Sequence, residues 1–311
     1  MKYNIKTTVA LLGAGILLVG CNETDRFEKE QYEKIISALS ETDYAFPVTH
    51  MMTGEPSIGY VSALLSGTTP DNEDIYVEFE KDTAALLNYN ILNFDLDTTK
   101  YAKELGPDHY KISDYKAVIK AGDPLGTMSM EIIPEGLSPD SIYMIPLKIK
   151  STSKYTVNEE LKTVLYRVML ENEYASQEDQ TTYFMKGSEL KDDGTEIMIA
   201  AGKRVFPILK NEIRTTVYTR AYQEDAKYIK ENSILITIHE DMSLSVRSCD
   251  PLCLEIEQVG GKSENYFGPD VMGVNRFNIH YKFRSRSFDA EAGTYGEWSE
   301  WKNIKENMKR Q

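Results

Sequence analysis

The residue types best suited to binding chemistry cluster near the C-terminal end of the chain. Tyr295, Glu297, Trp298 and Trp301 fall within one short segment that contains both tryptophans of the protein. Aromatic faces stack on the apolar side of a sugar ring, and carboxylates beside them accept hydrogen bonds from its hydroxyl groups. The pattern predicts a glycan-binding surface in this segment.

The side on which each ring lies depends on the local structure. If residues 295–301 form a strand, Trp298 and Trp301 point to opposite faces, so that one is buried and the other is free. Glu297 then shares a face with Tyr295 and Trp301, and we expect this trio to be the exposed group. The alternative is that both tryptophans lie in the core or cap it, because large aromatic side chains dominate cores.

A second aromatic pair, Tyr266 and Phe267, lies in a glycine-rich segment at 260–273. Loops carry binding residues more often than regular elements do, so this pair is a further glycan-binding candidate. The alternative is that the two rings fasten the loop to the core. Downstream, His280 falls on the polar face of a predicted strand.

The sequence lacks the motifs of common hydrolases. His239 and Glu240 are not followed by the second histidine that a zinc-protease helix requires. Glu255 and Glu257 would lie roughly 6–7 Å apart on one strand face, which overlaps the carboxylate spacing of inverting glycosidases. A solvated strand face is the reading we favour for this pair. We therefore expect no catalysis, no metal and no cofactor.

Cys249 and Cys253 are the cysteines that remain once Cys21 is set aside. An oxidising compartment favours a disulfide, and the intervening Asp250 and Pro251 supply a turn that could bring the two close enough. Two separate thiols are the alternative. The spacing lacks the further ligands of a zinc site and is not the Cys-x-x-Cys redox motif.

The elements that must position these residues are strands. Apolar and polar residues alternate with a period of two in many segments, and 276–284 is the clearest, with Phe277, Ile279, Tyr281 and Phe283 on one face. Pro146 interrupts another such segment and cannot donate a ladder hydrogen bond, so we expect that strand at a sheet edge. Without βα alternation or repeats, an all-β protein of two antiparallel β-sandwich domains is favoured.

Two segments look less regular. Tyr32, Ile35, Ile36 and Leu39 recur at helical spacing, which indicates a short tether helix or a solvated spacer. Residues 175–182 are polar, as linkers are, and mark the domain boundary. We predict a tether at 21–42, a first domain at 43–175 and a second domain at 176–311.

The N-terminus has the order of a secretory signal peptide. Lys2 and Lys6 precede an apolar run that is too short to span a bilayer, and the run ends at Gly20 and Cys21. The ending Leu-x-Gly-Cys resembles the lipobox of bacterial lipoproteins, which implies cleavage after residue 20 and lipidation of Cys21. An ordinary cleaved signal is the alternative. We expect the mature protein to be anchored to the outer membrane through this lipid alone, facing the cell surface.

The charge balance restricts the partners. The chain carries a formal charge of −14, and loss of the two lysines in residues 1–20 makes it −16. Such a surface repels nucleic acid and anionic head groups, whereas a neutral carbohydrate is indifferent to it. We therefore expect a poly- or oligosaccharide partner and no nucleic acid.

Motifs scattered through the first half match a known family. They are Gly-Tyr-Val-Ser (59–62), Ser-Gly-Thr-Thr-Pro (66–70), Asp-Ile-Tyr-Val-Glu-Phe (74–79), Tyr-Asn (89–90), Asn-Phe (93–94), Tyr-Lys-Ile (110–112), Ile-Lys-Ala-Gly (119–122) and Tyr-Met-Ile-Pro-Leu (143–147). Together they resemble a domain of unknown function, of the seventeen-thirty-five type, common in Bacteroidota lipoproteins. The chain departs from the family at 105–107, where Leu-Gly-Pro replaces Leu-Pro.

The second half resembles the partner domain that often follows it, at Lys-Arg-Val-Phe-Pro (203–207), Asn-Glu-Ile-Arg (211–214) and the strand at 275–281. The resemblance implies an immunoglobulin-like first domain, which in some members precedes an endo-N-acetylglucosaminidase. It also implies a surface glycan-binding role beside an outer-membrane glycan importer complex. The alternatives are a scaffold or adhesin subunit that binds a protein and, less favoured, a glycoside hydrolase.

Overall fold

The computed structural model describes residue 30, residues 32–41 and residues 43–311. The predicted signal peptide, the lipidation site Cys21 and half of the predicted tether lie outside the described residues. Neither helix in the described part is both long and apolar enough to cross a bilayer.

The first half of the described chain forms one sheet and a short helix. Its elements are β1 (Ile35–Ala38), β2 (Ala45–Met51), β3 (Ser57–Leu65), β4 (Ile75–Lys81), α1 (Thr83–Phe94), β5 (Lys103–Glu104), β6 (Tyr110–Lys111), β7 (Lys116–Ile119), β8 (Leu125–Ile132), β9 (Tyr143–Thr152), β10 (Thr156–Val157) and β11 (Thr163–Glu171), with 3₁₀ turns at Thr98–Lys100 and Pro107–His109. The strands follow the order β10-β1-β3-β8-β7-β4-β9-β11-β2, with β5 beside β9 and β6 beside β8. The sheet curls on itself, which brings β1 and β10 into contact with β9. It also brings β2 into contact with β3.

The curled sheet encloses a core of alternating side chains from its strands. Ile75, Val77 and Phe79 of β4 are buried, as their period of two predicts. Gly59 of β3 leaves room for a neighbouring ring, since a Cβ built on it would lie 2.2 Å from the Tyr166 hydroxyl. That hydroxyl lies 2.9 Å from Nε2 of the buried His50.

The second half folds into two antiparallel sheets. Its elements are β12 (Thr182–Leu190), β13 (Glu196–Arg204), β14 (Phe206–Leu209), β15 (Glu212–Thr216), α2 (Ala226–Asn232), β16 (Ser233–Ile238), β17 (Leu244–Ser248), β18 (Leu254–Gln258), β19 (Tyr266–Pro269), β20 (Asn275–Ser285), β21 (Phe288–Asp289), β22 (Thr294–Tyr295) and β23 (Lys302–Arg310). One sheet has the order β13-β12-β23-β20-β18, with β19 also on β20, and the other has the order β14-β15-β16-β17. Their inner faces share one core, to which β20 contributes Phe277, Ile279, Tyr281 and Phe283 as predicted.

An ion pair is buried in this second core. Nζ of Lys203 lies 2.7 Å from Oε2 of Glu306 and donates to the carbonyl of Thr216 at 2.8 Å. Tyr281 donates its hydroxyl to the other carboxylate oxygen of Glu306 at 2.6 Å. Both charged side chains are fully buried, and the Thr216 carbonyl and the Tyr281 hydroxyl are the groups that hydrogen-bond to the pair.

The prediction of an all-β protein is confirmed, and four details of it were wrong. The sheets were predicted to be antiparallel, but three strand pairs are parallel: β1 with β10, β2 with β11, and β5 with β9. Residues 35–38, predicted as tether, form β1 within the first sheet, because pairing with β3 and β10 outweighs the helical spacing.

The other two details concern Pro146 and the linker. Pro146 lies in β9, between β4 and β11, instead of at an edge. The Pro146 carbonyl accepts a hydrogen bond from the N–H of Asp82, which lies just beyond the end of β4. The N–H that Pro146 lacks would point to the same side, past the end of β4, so no hydrogen bond between strands is lost. Within the predicted linker at 175–182, Ala175, Ser176 and Thr181 are buried.

Candidate functional site

The outer face of the six-stranded sheet carries a polar groove. Because Phe277 and Ile279 of β20 point inward, Asn278 and His280 point outward. The same alternation turns Asn307 of β23 outward beside Asn278. The groove at Asn278 and His280 has a volume of about 270 Å³.

 

The groove is lined by side chains from the four strands β12, β19, β20 and β23 and from the loop before β19. Besides Asn278, His280 and Asn307, its lining includes Lys186, Glu264, Tyr266 and Lys305. We call this set of seven residues the β20 groove. Its volume is slightly below the range of about 300–1,000 Å³ that is typical of ligand pockets.

His280 is the most buried of the polar side chains that line the β20 groove. Its Nε2 lies 2.8 Å from Oδ1 of Asn303, and its backbone N–H donates to Oδ1 of Asn265 at 2.9 Å. Its Nδ1 is buried and makes no hydrogen bond, although Oε2 of Glu264 lies 3.4 Å away. Buried polar atoms are normally paired, and the carboxylate of Glu264 is the polar group that lies nearest to this nitrogen.

The two amides of the groove floor are held by hydrogen bonds. Asn307 donates from Nδ2 to Oδ1 of Asn278 at 2.6 Å and accepts from Nη1 of Arg276 at 2.9 Å. Arg276 is fixed in turn by Asp270, 2.6 Å from its Nε. Backbone N–H groups, chiefly that of Val274, hold the pKa of Asp270 below its usual value. The floor is therefore ordered before any ligand arrives.

The aromatic pair of the glycine-rich loop is divided between two environments. Tyr266 is half-buried and forms part of the groove wall. Phe267 points inward, with its ring centroid 4.6 Å from that of Phe277 and 5.1 Å from that of Tyr174. Phe267 therefore fastens the loop to the core, as the alternative reading stated, and Tyr266 alone faces the groove.

The C-terminal aromatic residues stack with two arginines. Cζ of Arg286 lies 4.4 Å from the ring centroid of Tyr295 and 4.3 Å from that of Trp298. Cζ of Arg284 lies 4.9 Å from the ring centroids of both Trp298 and Trp301. We call these five residues the arginine ladder. Each such contact stabilises by about 0.5–1 kcal/mol where it is exposed.

The arginine ladder overturns the predicted arrangement of the two tryptophans. Residues 296–301 form no strand, and both rings contact Arg284 instead of pointing to opposite faces. Neither ring is in the core, since Trp298 is half-buried and Trp301 is 43% exposed. Trp298 contacts two guanidinium groups, which compete with a sugar for the surface of this ring. Tyr295 and Trp301, at the ends of the ladder, remain available.

Glu297 lies beside the ladder. It is exposed and lines the cavity of about 360 Å³ together with Trp298 and Arg286. Arg220 and Asn232 line the same cavity, and Arg220 donates to Oδ1 of Asn232 at 2.5 Å. This second cavity adjoins the end of β20, which contributes Ser285 to its lining.

The predicted disulfide does not form. Cys249 and Cys253 are both free thiols. The two thiols have different charged neighbours. Cys249 lies near Arg214 and Arg247, whereas Cys253 lies near Asp250 and Glu231. The two side chains therefore lie in separate environments. Burial raises the pKa of Cys249 to about 11.

Sequence reasoning found part of the β20 groove. It identified Tyr266 and placed His280 on the polar face of its strand, which the structure confirms. It missed Asn278, Asn307 and the two lysines, because their proximity depends on the register between strands far apart in the chain. The polar side of the period-two pattern was the signal that could have found them.

Two family models together cover most of the chain. A model for an N-terminal domain matches residues 28–156, and a model for a C-terminal domain matches residues 162–309. No curated protein matches the sequence.

Solved structures from Bacteroides share the fold. A multidomain protein including DUF1735 from Bacteroides ovatus has a TM-score of 0.62 at 15% identity, covering 88% of this chain and 94% of that one. A protein of unknown function from the same species has a TM-score of 0.61 at 17% identity, covering 88% and 92%. An auxiliary nutrient binding protein from Bacteroides thetaiotaomicron has a TM-score of 0.54 at 13% identity, covering 87% and 92%. At these identities the likeness shows the fold alone.

Proposed function

We propose that this chain, which belongs to the Bacteroidota family of two-domain proteins with a DUF1735-type first domain, binds a glycan without transforming it. The observation that carries the proposal is the β20 groove. It offers one aromatic wall at Tyr266, two fixed amides at Asn278 and Asn307, and the exposed ammonium groups of two lysines. Stacking faces and convergent hydrogen-bonding groups are what sugar recognition requires.

A protein of the same fold supports a binding role. The auxiliary nutrient binding protein from Bacteroides thetaiotaomicron matches across nearly its whole length. A nutrient-binding role for this chain would require a ligand site outside the core, and the β20 groove lies on the outer face of a sheet.

The directions in which the pKa values of the carboxyl groups are shifted support glycan binding over glycan hydrolysis. A glycoside hydrolase needs one carboxyl group with a raised pKa to act as a general acid. In the described part of the chain, every carboxyl group with a shifted pKa is shifted downwards. On the predicted strand faces, Lys150 lowers the pKa of Glu78 by hydrogen bonding, and Arg284 donates to Glu255 at 2.5 Å.

The proposed location rests on residues outside the described part. Lipidation at Cys21 would hold the protein on the outer membrane, facing the cell surface and beside a glycan importer complex. Membrane fractionation of cells that express the wild type or Cys21→Ser tests this. We expect the wild type in the outer-membrane fraction and the variant in the soluble fraction, and equal partitioning of the two would contradict the anchor.

Affinity electrophoresis through gels that contain single polysaccharides tests the binding function. We expect retardation of the mature protein by at least one polysaccharide, and loss of most of that retardation in Tyr266→Ala. Tyr60→Ala is the matched control, because Tyr60 is 53% exposed on β3 of the first domain. The proposal fails if no polysaccharide retards the protein, or if both variants weaken binding equally.

An exposed apolar surface favours a second candidate function, binding of a protein partner. Leu87, Ile91, Leu92 and Leu96, in and just after α1, are between 49% and 87% exposed. Apolar clusters of this kind mark interaction sites. Co-purification of the wild type with an outer-membrane complex, lost in Leu92→Ser but kept in Tyr266→Ala, would favour this function.

A further inference from the structure

We propose that the glycan bound in the β20 groove is anionic and carries carboxylate or sulfate groups. This inference rests on the proposed function and names its ligand class. It is carried by the distribution of charge on the outer face of the six-stranded sheet.

The three neighbouring strands β12, β23 and β20 present cations and no carboxylate on this face. Their alternation with buried residues turns six basic side chains outward and leaves every acidic residue of these strands inward or at the core. The six are Lys186, Arg276, Lys282, Arg284, Lys305 and Lys309. The chain as a whole has a formal charge of −14, so the charge that these three strands present on this face is opposite in sign to that of the whole protein.

Some of these cations are neutralised by neighbours and others are not. Arg276 pairs with Asp270 and Arg284 pairs with Glu255. Nζ of Lys305 lies 3.9 Å from Glu264, which is too long for a hydrogen bond. Among the described residues, no carboxylate lies within ion-pair distance of Lys186, Lys282 or Lys309.

Two of the incompletely paired cations flank the β20 groove. Lys186 lies opposite Asn307 in the register of β12 with β23, and Lys305 is two residues from Asn307 along β23. The two lysines are therefore diagonal neighbours, whose Cβ atoms are about 7 Å apart. Both exposed ammonium groups can reach one ligand carboxylate or sulfate, while Tyr266 stacks on the ring that carries it.

The acidic remainder of the protein does not prevent this contact. At physiological ionic strength charges more than about 8 Å apart are largely screened, so a ligand in the groove responds to the groove's own charges, which are Lys186, Lys305 and the single carboxylate of Glu264. The same overall charge disfavours a long, densely charged polymer such as DNA, which extends well beyond a groove of about 270 Å³.

Isothermal titration of the mature protein with matched probes tests the inference. The probes are polygalacturonate and hyaluronan oligosaccharides, each with its carboxyl-reduced form, and chondroitin sulfate with its desulfated and carboxyl-reduced form. We expect at least one anionic form to bind at least tenfold more tightly than its neutral counterpart. Lys186→Gln and Lys305→Gln should each weaken that binding about tenfold. Lys210→Gln, which removes an exposed lysine from the opposite sheet, should not.

The outcomes separate this inference from the proposed function. Equal or tighter binding of the neutral forms overturns the anionic ligand and leaves glycan binding intact. Anionic preference that survives in both groove variants overturns the assignment to the β20 groove. Equal affinity for single-stranded DNA would show unspecific anion attraction and overturn the inference. Binding of no glycan, neutral or anionic, overturns the proposed function as well.

Discussion

Replacement of Lys203 by methionine should strongly destabilise the second domain. The substitution keeps an unbranched side chain of similar length and removes the ammonium group. Glu306 then remains as a buried carboxylate that accepts from Tyr281 alone, and the Thr216 carbonyl loses its donor.

The size of the effect follows from this geometry. Removal of one partner from a fully buried ion pair costs about 3–5 kcal/mol, because the other charge stays buried without compensation. Lys203→Met with Glu306→Gln removes both charges, and the new amide still accepts from the Tyr281 hydroxyl. We therefore expect the double variant to be more stable than Lys203→Met by about 2 kcal/mol or more.

Urea unfolding followed by tryptophan fluorescence measures this directly. Trp298 and Trp301 are the two tryptophans of the protein, and both lie in the second domain. With a slope of about 2 kcal/mol per molar urea, Lys203→Met should lower the midpoint by roughly 2 M. Lys210→Met, at an exposed lysine of the same domain, is the control and should change it little. A loss below 1 kcal/mol, or a double variant less stable than the single, would refute the reasoning.

Three further predictions concern the first domain and its junction with the second. Burial lowers the pKa of His50 from 6.5 to about 4, so the folded state binds its proton less tightly than the unfolded chain. The free energy of unfolding should fall by up to about 3 kcal/mol between pH 6.5 and 4, and His50→Gln should flatten this dependence in circular dichroism melts. Gly59→Ala should cost about 1–3 kcal/mol in the same melts, because its Cβ meets the Tyr166 ring. Arg214→Ala should speed proteolysis at 172–181, because Arg214 pairs with Asp140 across the junction, whereas Lys210→Ala should not.

The strands could be predicted where the alternation is long. β20 shows four apolar residues at a period of two, and all four are buried. β1 is only four residues long, too short to distinguish a period of two from the helical spacing of Ile35 and Leu39. Its pairing with β3 and β10 comes from residues 57–65 and 156–157, which local sequence does not show.

The candidate site was predictable in composition but not in arrangement. Local sequence identified Tyr266, Trp298 and Trp301 as aromatic residues near polar groups. The arginines that contact Trp298 come from the end of β20 and from the residue that follows it, and no local pattern links them to the tryptophans. Residues brought together by strand register, such as Asn278 with Asn307, need the fold itself.

Hydrogen exchange in the presence of a retained glycan tests the central claim most directly. The mature protein is compared with and without a saturating concentration of the polysaccharide that retards it most. Glycan binding in the β20 groove predicts slower exchange at 261–267 and 276–284, with the first domain unchanged. Protection confined to the first domain, or no change in these two segments, would contradict the account.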